Sequence, residues 1–418
     1  MASIGEASAA ATVTPGRRRA FVIVALTVTW LAGLLAIALT VVPDGYWYSY
    51  FAVDYSVGFI RRGLAGELVG LVPTSDQLTA LKFLRWLPTV LFIVALLGLA
   101  ATVATRWGRS ERRLLAALLI PFLPFGFAFG IFSARPDLFG AAALIGLCIA
   151  LTRVRSEVAV LTASAAYGCT IAVLTLIHEA IPLLFGLGAV AGLSVLAKHL
   201  NTRTFWLASA IAVIPGVVVT GVVTLFGRRG VSAQLCERVP HLQMNNPLAA
   251  DPRPSLGQIL SGFHHDVDYH DWTCRWIMPL FDQTFRDGMR FIAGVGPVAL
   301  FGSTVVGLAL LAITMFSLSR VSGVGFDQFR RLLMQRPLAM ACGVILMLPV
   351  FATGADWIRW WVIIAFDLGI VFALFAAGRS ESDAPPTRVA MWTFRACALG
   401  LGLLPLGIIP ALGVPGPV

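Results

Sequence analysis

The stretch DYSVGFIRRGL, residues 54–64, carries residue types that can do chemistry: an aspartate, two adjacent arginines and two glycines. A carboxylate such as Asp54 can act as a general base on a hydroxyl group within hydrogen-bond reach. Arg61 and Arg62 each offer a planar fork of N–H donors that fits phosphate oxygens. The neighbouring glycines permit a close approach of the backbone. The stretch therefore predicts a site that binds a phosphate and deprotonates a hydroxyl group.

Three further short clusters have a similar composition: SARPD at 133–137, HE at 178–179 and GADWIRWW at 354–361. Their charged residues are unusual because they stand next to long apolar segments. Desolvated arginine at the edge of a membrane is costly and usually pairs with a carboxylate or binds a ligand. These clusters add candidates for contact with a donor phosphate, namely Arg135, Asp137, His178, Glu179, Asp356 and Arg359.

Each cluster also has a local explanation. At helical spacing Arg61 and Arg62 cannot point the same way, so one can bind a ligand while the other pairs with an acid such as Glu67. Proline followed by aspartate at 136–137 is typical of a helix start. Asp356 and Arg359 lie one helical turn apart, so they can pair with each other.

The stretch HHDVDYHDWTCRW at 264–276 lies in the longest predicted loop. Its histidines and aspartates could bind a metal ion, but they follow no known ligand spacing. Contact of Tyr269, Trp272 and Trp276 with a carbohydrate acceptor is a comparable alternative. We therefore expect no metal and no other cofactor to be required.

Two cysteines, Cys236 and Cys274, fall in the same loop. Disulfides persist in oxidising compartments outside the cytoplasm. If the loop faces that side, these two cysteines should form a disulfide.

The elements that must position these residues are membrane helices. The chain has 418 residues, of which 58% are hydrophobic and 12% charged, whereas soluble domains carry about 25% charged residues. A spanning helix needs about 20 apolar residues. We expect an all-α, polytopic membrane helix bundle of about 11 transmembrane helices, near 20–42, 83–105, 114–132, 137–152, 158–177, 180–197, 204–226, 291–316, 337–353, 361–377 and 389–410.

Basic residues set the expected orientation. Residues 1–19 carry three consecutive arginines, and alternate loops continue this bias, so the positive-inside rule makes the N-terminal tail cytoplasmic. Residues 20–418 then form one transmembrane domain. Its loop at 43–82 is the expected catalytic loop, and its loop at 227–290 is the expected substrate or acceptor loop. All four polar clusters fall on the outer face.

The layout resembles the GT-C superfamily of integral-membrane glycosyltransferases. The likeness rests on Asp54 in YFAVDYSVGF, soon after the first predicted helix, and on SDQLTALKFLRW (75–86), which resembles the amphipathic helices of their first outer loop. GFIRRGL and DWIRWW are similar to stretches in uncharacterised membrane proteins of envelope polysaccharide loci. The chain departs from the better-known members because it lacks an acidic pair in the first loop and a large C-terminal soluble domain. The resemblance implies an Asp or Glu base, a polyprenyl-phosphate sugar donor and usually inversion at the anomeric carbon.

Residues and resemblance together predict a glycosyltransferase of a bacterial plasma membrane. Asp54 is the expected base, and the outer arginines are expected to bind the donor phosphate. The expected partners are a polyprenyl-phosphate sugar, such as an arabinose or mannose donor, membrane lipid, and a glycan or lipid-linked acceptor. The basic residues lie at helix ends, so the net charge of +10 does not indicate nucleic acid.

Three other classes remain open. An oligosaccharide polymerase also uses outer arginines on lipid-linked substrates. A lipid-linked sugar transporter or flippase would place its binding groups near the bilayer midplane, and Asp367, within the tenth predicted helix, is the residue that favours it. A non-catalytic scaffold leaves the outer arginines unexplained.

Overall fold

Helices dominate the computed structural model of the chain. The structure describes residues 26, 28–36, 49–51, 53–73, 77–246, 249–252, 254–255, 257–258, 261–402, 404, 406–407, 409 and 411–413. Residues 28–36 are helical, and most of the first predicted span, 20–42, lies outside the described residues. The other α-helices are Gly63–Gly70, Gln77–Leu84, Leu87–Thr105, Glu111–Leu119, Phe127–Ser133, Asp137–Arg153, Glu157–Thr175, Ile181–Leu196, Thr202–Phe226, Ser232–Cys236, Tyr269–Trp276, Pro279–Asp282, Phe285–Val295, Pro297–Ser322, Phe326–Leu333, Pro337–Ile345, Leu348–Thr353, Trp357–Ala377 and Arg388–Gly400.

Within the described part of the chain, six helical segments are long and apolar enough to cross a membrane. The number rises to seven if Phe326–Leu333 and Pro337–Thr353, which are bent by 88° at their junction, count as one span. The expected count of eleven is therefore not confirmed. The six segments are Leu87–Thr105, Glu111–Ser133, Glu157–Thr175, Thr202–Phe226, Pro297–Ser322 and Trp357–Ala377.

The difference has local physical causes. Ile181–Leu196 is apolar but has only 16 residues, and the last predicted span contains a described helix of only 13 residues, Arg388–Gly400. Asp137–Arg153, in the predicted span 137–152, has 17 residues. The predicted span at 114–132 is still long enough, as part of Glu111–Ser133, although a 3-10 turn, Ile120–Phe122, interrupts its α-helix. Pro121 lies in this turn, and proline disrupts the hydrogen-bond ladder of an α-helix.

The centre of the bundle is the helix Trp357–Ala377, most of whose residues are buried. It packs against Pro297–Ser322 and Ile181–Leu196. Small residues let these helices approach closely: a Cβ atom added to Gly188 would lie 2.8 Å from Asp367. Thr202–Phe226, by contrast, exposes many apolar side chains, as expected of a helix that faces lipid.

One end of the bundle carries most of the irregular structure, and we call it the loop-rich end. Residues 49–73 and 227–290 meet there around a second hydrophobic cluster that includes Val53, Ile60 and Tyr269. The long loop departs from the expected all-α class, because it contains a two-stranded antiparallel sheet. Its strands are Gln243–Asn245 and Asp266–Asp268, with Met244 opposite Val267.

The opposite end collects the loops that the sequence placed in the cytoplasm. Arg113 donates to the Asp383 carboxylate at 2.5 Å and to the Ala377 carbonyl at 2.8 Å. Arg112 donates to the carbonyls of Glu381 and Pro385. Arg112 and Arg113 therefore connect the loops of this end through backbone carbonyls and the Asp383 carboxylate.

Candidate functional site

Arg61, Arg62 and Glu179 form an ionic group at the loop-rich end, which we call the rim trio. The Arg62 guanidinium donates through Nε and Nη2 to the two carboxylate oxygens of Glu179, at 2.9 and 2.8 Å. Arg61 Nη1 lies 3.7 Å from the same carboxylate. The three side chains are 20–28% exposed. The three side chains thus place two positive charges and one negative charge at a position that solvent reaches.

The backbone before the helix Gly63–Gly70 holds the two arginines in place. Arg62 has a φ of 64°, in the left-handed region, which non-glycine residues rarely adopt. The turn that contains Asp54 packs tightly on this helix. A Cβ atom added to Gly63 would lie 2.4 Å from the Tyr55 ring, and one added to Gly66 would lie 2.1 Å from the Val53 carbonyl oxygen. Gly63, in the opening stretch, and Gly66, just after it, therefore serve close packing.

A second ionic group lies deeper and consists of Arg135, Asp137, Asp356 and Arg359; we call it the buried tetrad. Arg359 pairs with Asp137 and donates to Asp356 at 3.1 Å, and Arg135 also pairs with Asp356. Asp356 is 22% exposed, whereas the other three side chains are at most 5% exposed. The tetrad joins the starts of Asp137–Arg153 and Trp357–Ala377, and its formal charges cancel.

His178 and Tyr50 lie between the two ionic groups. Tyr50 stacks on the His178 ring at 5.8 Å and lies 5.4 Å from the Arg62 guanidinium. His178 interacts electrostatically with members of both groups. Its Nδ1 accepts a hydrogen bond from the Ala180 N–H at 3.2 Å, so Nε2 carries the proton in the neutral ring. The structure thus brings eight of the predicted site residues together at one end of the bundle.

Asp54 belongs to the same end but makes only local contacts. Its carboxylate accepts hydrogen bonds from the Ser56 N–H, at 3.0 Å, and from the Ser56 hydroxyl group. Among the described residues it makes no ion pair, unlike the carboxylates of the rim trio and the buried tetrad. The alternative in which an arginine pairs with Glu67 is not found among the described ion pairs, and Glu67 instead accepts from the Tyr55 N–H at 2.8 Å. Glu179 binds the arginines instead.

Two further arginines at this end were not among the predicted site residues. Arg228 donates to the Val57 carbonyl at 2.7 Å, and its backbone N–H donates to the Phe59 carbonyl at 2.7 Å. Arg229 interacts electrostatically with Arg61. A sequence signal was available: the RRG of the opening motif recurs at 228–230, directly after the predicted span 204–226.

The long loop carries the remaining predicted residues. Cys236 and Cys274 are joined in a disulfide. The imidazole of His241 lies 2.8 Å from the Asp268 carboxylate, and this hydrogen bond raises the pKa of His241 and lowers the pKa of Asp268. Asp367 lies elsewhere, inside the bundle, where it accepts a hydrogen bond from the Gly188 N–H at 3.1 Å.

Fold and charged groups define a polytopic helical membrane protein with a polar site at one end of its bundle. A family model described as "Uncharacterised membrane protein Rv1490" matches residues 21–402, so the chain belongs to that family. It is 35% identical over 401 residues to the uncharacterized proteins Rv1490 of Mycobacterium tuberculosis and Mb1527 of Mycobacterium bovis, covering 95% of this chain and 92% of theirs. No solved structure matches. Membership of the GT-C superfamily is not confirmed.

Proposed function

We propose that the chain is a membrane glycosyltransferase that moves a sugar from a polyprenyl-phosphate carrier to a glycan or lipid-linked acceptor. The observation that supports this most is the charge balance of the rim trio. Arg61 and Arg62 are partly exposed and both contact the Glu179 carboxylate, and the formal charges of these three residues sum to +1. Arginine forks of this kind suit phosphate oxygens.

The surroundings of the rim trio suit a lipid-linked anion. Phe59, Leu68 and Leu71 are 39%, 49% and 81% exposed on the same loop and helix. Exposed apolar side chains beside a positive group fit a donor whose phosphate is charged and whose polyprenyl tail lies in the bilayer. The buried tetrad has no net charge, so in this proposal it positions the helix ends and leaves phosphate binding to Arg61 and Arg62.

The proposed reaction needs one base and one anion-binding group. Asp54 accepts the proton of an acceptor hydroxyl group, whose oxygen then forms a bond to the anomeric carbon of the donor sugar. The bond from that carbon to the phosphate oxygen breaks, and the polyprenyl phosphate leaves with the electron pair. Arg61 and Arg62 stabilise the negative charge on this leaving group. Direct displacement of this kind inverts the anomeric carbon.

The proposed location is the outer face of a bacterial plasma membrane, with a cytoplasmic N-terminus. Two features support it: basic loops gather at the opposite end of the bundle, as the positive-inside rule requires, and the loop-rich end contains the Cys236–Cys274 disulfide, which is typical of an oxidising compartment.

The experiment is a glycan linkage analysis of the cell envelope in a strain that lacks the gene. The strain is complemented with the wild type, with Asp54→Asn or with Asp327→Asn. Asp327 is a matched control because it is an exposed aspartate at the opposite end of the bundle. We expect one sugar linkage to disappear on deletion and to return with the wild type and with Asp327→Asn. Loss of a general base slows a reaction by about 10²–10⁴-fold, so Asp54→Asn should not restore the linkage.

Other outcomes assign the protein to another class. Full restoration by Asp54→Asn would show that Asp54 is not the base. Intact linkages with altered polysaccharide chain length would indicate a polymerase. Lipid-linked intermediates that accumulate while no linkage is lost would indicate a transporter or flippase. Asp367, the residue that favoured transport, makes a helix-to-helix hydrogen bond in the structure.

A further inference from the structure

Three potential metal ligands lie close together in the long loop at the loop-rich end. None of them belongs to the rim trio. His241, His270 and Asp271 each place one ligand atom so that all three lie within 4.8 Å of one another. The rings of the two histidines stack at 3.9 Å, and His270 Nδ1 lies 3.0 Å from the Asp271 carboxylate. Ligand atoms around a tetrahedral Zn²⁺ lie roughly 3.3–3.6 Å apart, given bonds of about 2.0–2.2 Å. Asp271 is 75% exposed, so its side chain can rotate to complete such a site.

A fourth residue orients one of these ligands. Asp268 contacts His241 through Nδ1 at 2.8 Å, which leaves Nε2 of the same ring available to a metal ion. Histidine ligands typically make such a contact to a carboxylate through the nitrogen that does not bind the metal. Asp268 also accepts from the His270 N–H at 2.9 Å. The Asp268 carboxylate thus holds the ring of His241 and the backbone of His270 in place.

The platform beneath these residues is held by several cross-links. Gln243, two residues after His241, pairs with Asp268 in the two-stranded sheet. The Cys236–Cys274 disulfide ties the helix Tyr269–Trp276, which carries His270 and Asp271, to the preceding segment of the loop. The disulfide also removes both thiolates as ligands, although their sulfur atoms lie close to His270.

We propose that His241, His270 and Asp271 bind one divalent transition-metal ion of the Zn²⁺ class, with Asp268 as the residue that orients His241. Two imidazoles and one carboxylate are a ligand set that Zn²⁺ accepts, and a three-residue set leaves a fourth position for water or for an oxygen of another molecule. The ion fixes the segment before the first strand onto the helix Tyr269–Trp276. This assignment does not depend on the proposed glycosyltransferase activity.

The test uses the full chain in detergent, purified without a polyhistidine tag and stripped of metal by a chelator. Zn²⁺ alone is then titrated by calorimetry, and bound metal is counted by elemental analysis. We expect one Zn²⁺ per chain in the wild type and none at the same concentrations in His241→Ala or His270→Ala. Asp268→Asn keeps the side-chain cap of the helix but weakens the orienting contact, so it should lower the affinity about 10–100-fold.

The matched control is His264→Ala, because His264 is an exposed histidine of the same loop that also faces an aspartate, Asp266, at 2.9 Å. This variant should bind Zn²⁺ like the wild type. Each variant is checked for an intact disulfide and an unchanged gel-filtration profile, so that misfolded protein is not counted. The proposal fails if the wild type binds no more Zn²⁺ than the His241→Ala/His270→Ala double variant, or if His264→Ala loses the ion equally.

Discussion

The rim trio and the buried tetrad use the same kinds of residue in different proportions. The tetrad balances two arginines against two aspartates, and three of its four side chains are at most 5% exposed. The trio sets two arginines against one glutamate, and its side chains are 20–28% exposed. An uncompensated charge inside a protein is very costly, so a buried group must be neutral. A partly exposed group can keep a net charge, and in the proposed function that charge attracts an anion.

The two groups also join different parts of the molecule. The tetrad connects the starts of two helices that are 222 residues apart at the Asp137–Arg359 pair. The trio connects the first loop to the turn before Ile181–Leu196 through Glu179. We infer that the tetrad determines how helices are arranged, whereas the trio determines where a loop presents its arginines. The predictions below separate these two roles.

The largest expected effect is on stability and concerns the tetrad. Arg359→Leu leaves Asp137 and Asp356 with less compensation in a buried place. Breaking a buried ion pair on one side costs about 3–5 kcal/mol. We therefore expect the free energy of unfolding in detergent to fall by about that amount, measured by denaturant or thermal unfolding.

The control for Arg359 is Arg330→Leu, which removes an arginine that is 64% exposed and lies 3.7 Å from Asp327. Exposed pairs contribute at most about 1 kcal/mol, so this variant should unfold almost like the wild type. If the free energy of unfolding fell equally in the two variants, burial would not make the ion pairs of the tetrad more important for stability than an exposed pair.

The spacing of residues in the sequence predicted only one of the contacts in the tetrad. The spacing of Asp356 and Arg359 favoured their mutual contact, and the structure contains it. Asp356, which pairs with Arg135, and Arg359, which pairs with Asp137, lie more than 200 residues away from them. A helical period carries no information on which helices become neighbours. The positive-inside rule placed all these residues at one end, but it could not pair them. It also could not foresee that short helices and an 88° bend would reduce the number of long spans.

The second prediction concerns the trio and tests whether Arg62 binds a donor or only Glu179. Arg62→Lys keeps the charge and loses the two-pronged contact. Hydrogen bonds to charged groups contribute about 1.5–3 kcal/mol, and 1.36 kcal/mol is a tenfold change in rate. We therefore expect sugar transfer in isolated membranes to fall about 10–100-fold while the unfolding of the bundle changes little.

Glu179→Gln supplies the second arm of a double-mutant cycle. If Arg62 acts only as the partner of Glu179, Arg62→Lys should have no further effect in the Glu179→Gln background. If it binds the donor phosphate, its effect should persist there in full. Retention of wild-type transfer by Arg62→Lys alone would remove Arg62 from the proposed site.

The smallest effect is expected from the packing that positions the trio. A Cβ atom at Gly66 would lie 2.1 Å from the Val53 carbonyl oxygen, whereas one at Gly70, on the same helix, would have no heavy atom within 4 Å. Overpacking costs about 1–3 kcal/mol, and here the obstacle is the backbone of a turn whose Val53 side chain is fully buried. Gly66→Ala should therefore lower transfer by displacing Asp54 and the arginines, and it should lower the free energy of unfolding by up to about 1–3 kcal/mol.

Gly70→Ala should keep wild-type transfer, because alanine favours a helix by roughly 0.5–1 kcal/mol over glycine and meets no obstacle there. The contrast is informative because both substitutions add the same methyl group to the same helix. If Gly66→Ala also transfers sugar normally, the close contact between this helix and the Asp54 turn is not needed. Transfer would then not depend on the position of Asp54 relative to the trio. A carboxylate other than Asp54 at the loop-rich end would then be the candidate base.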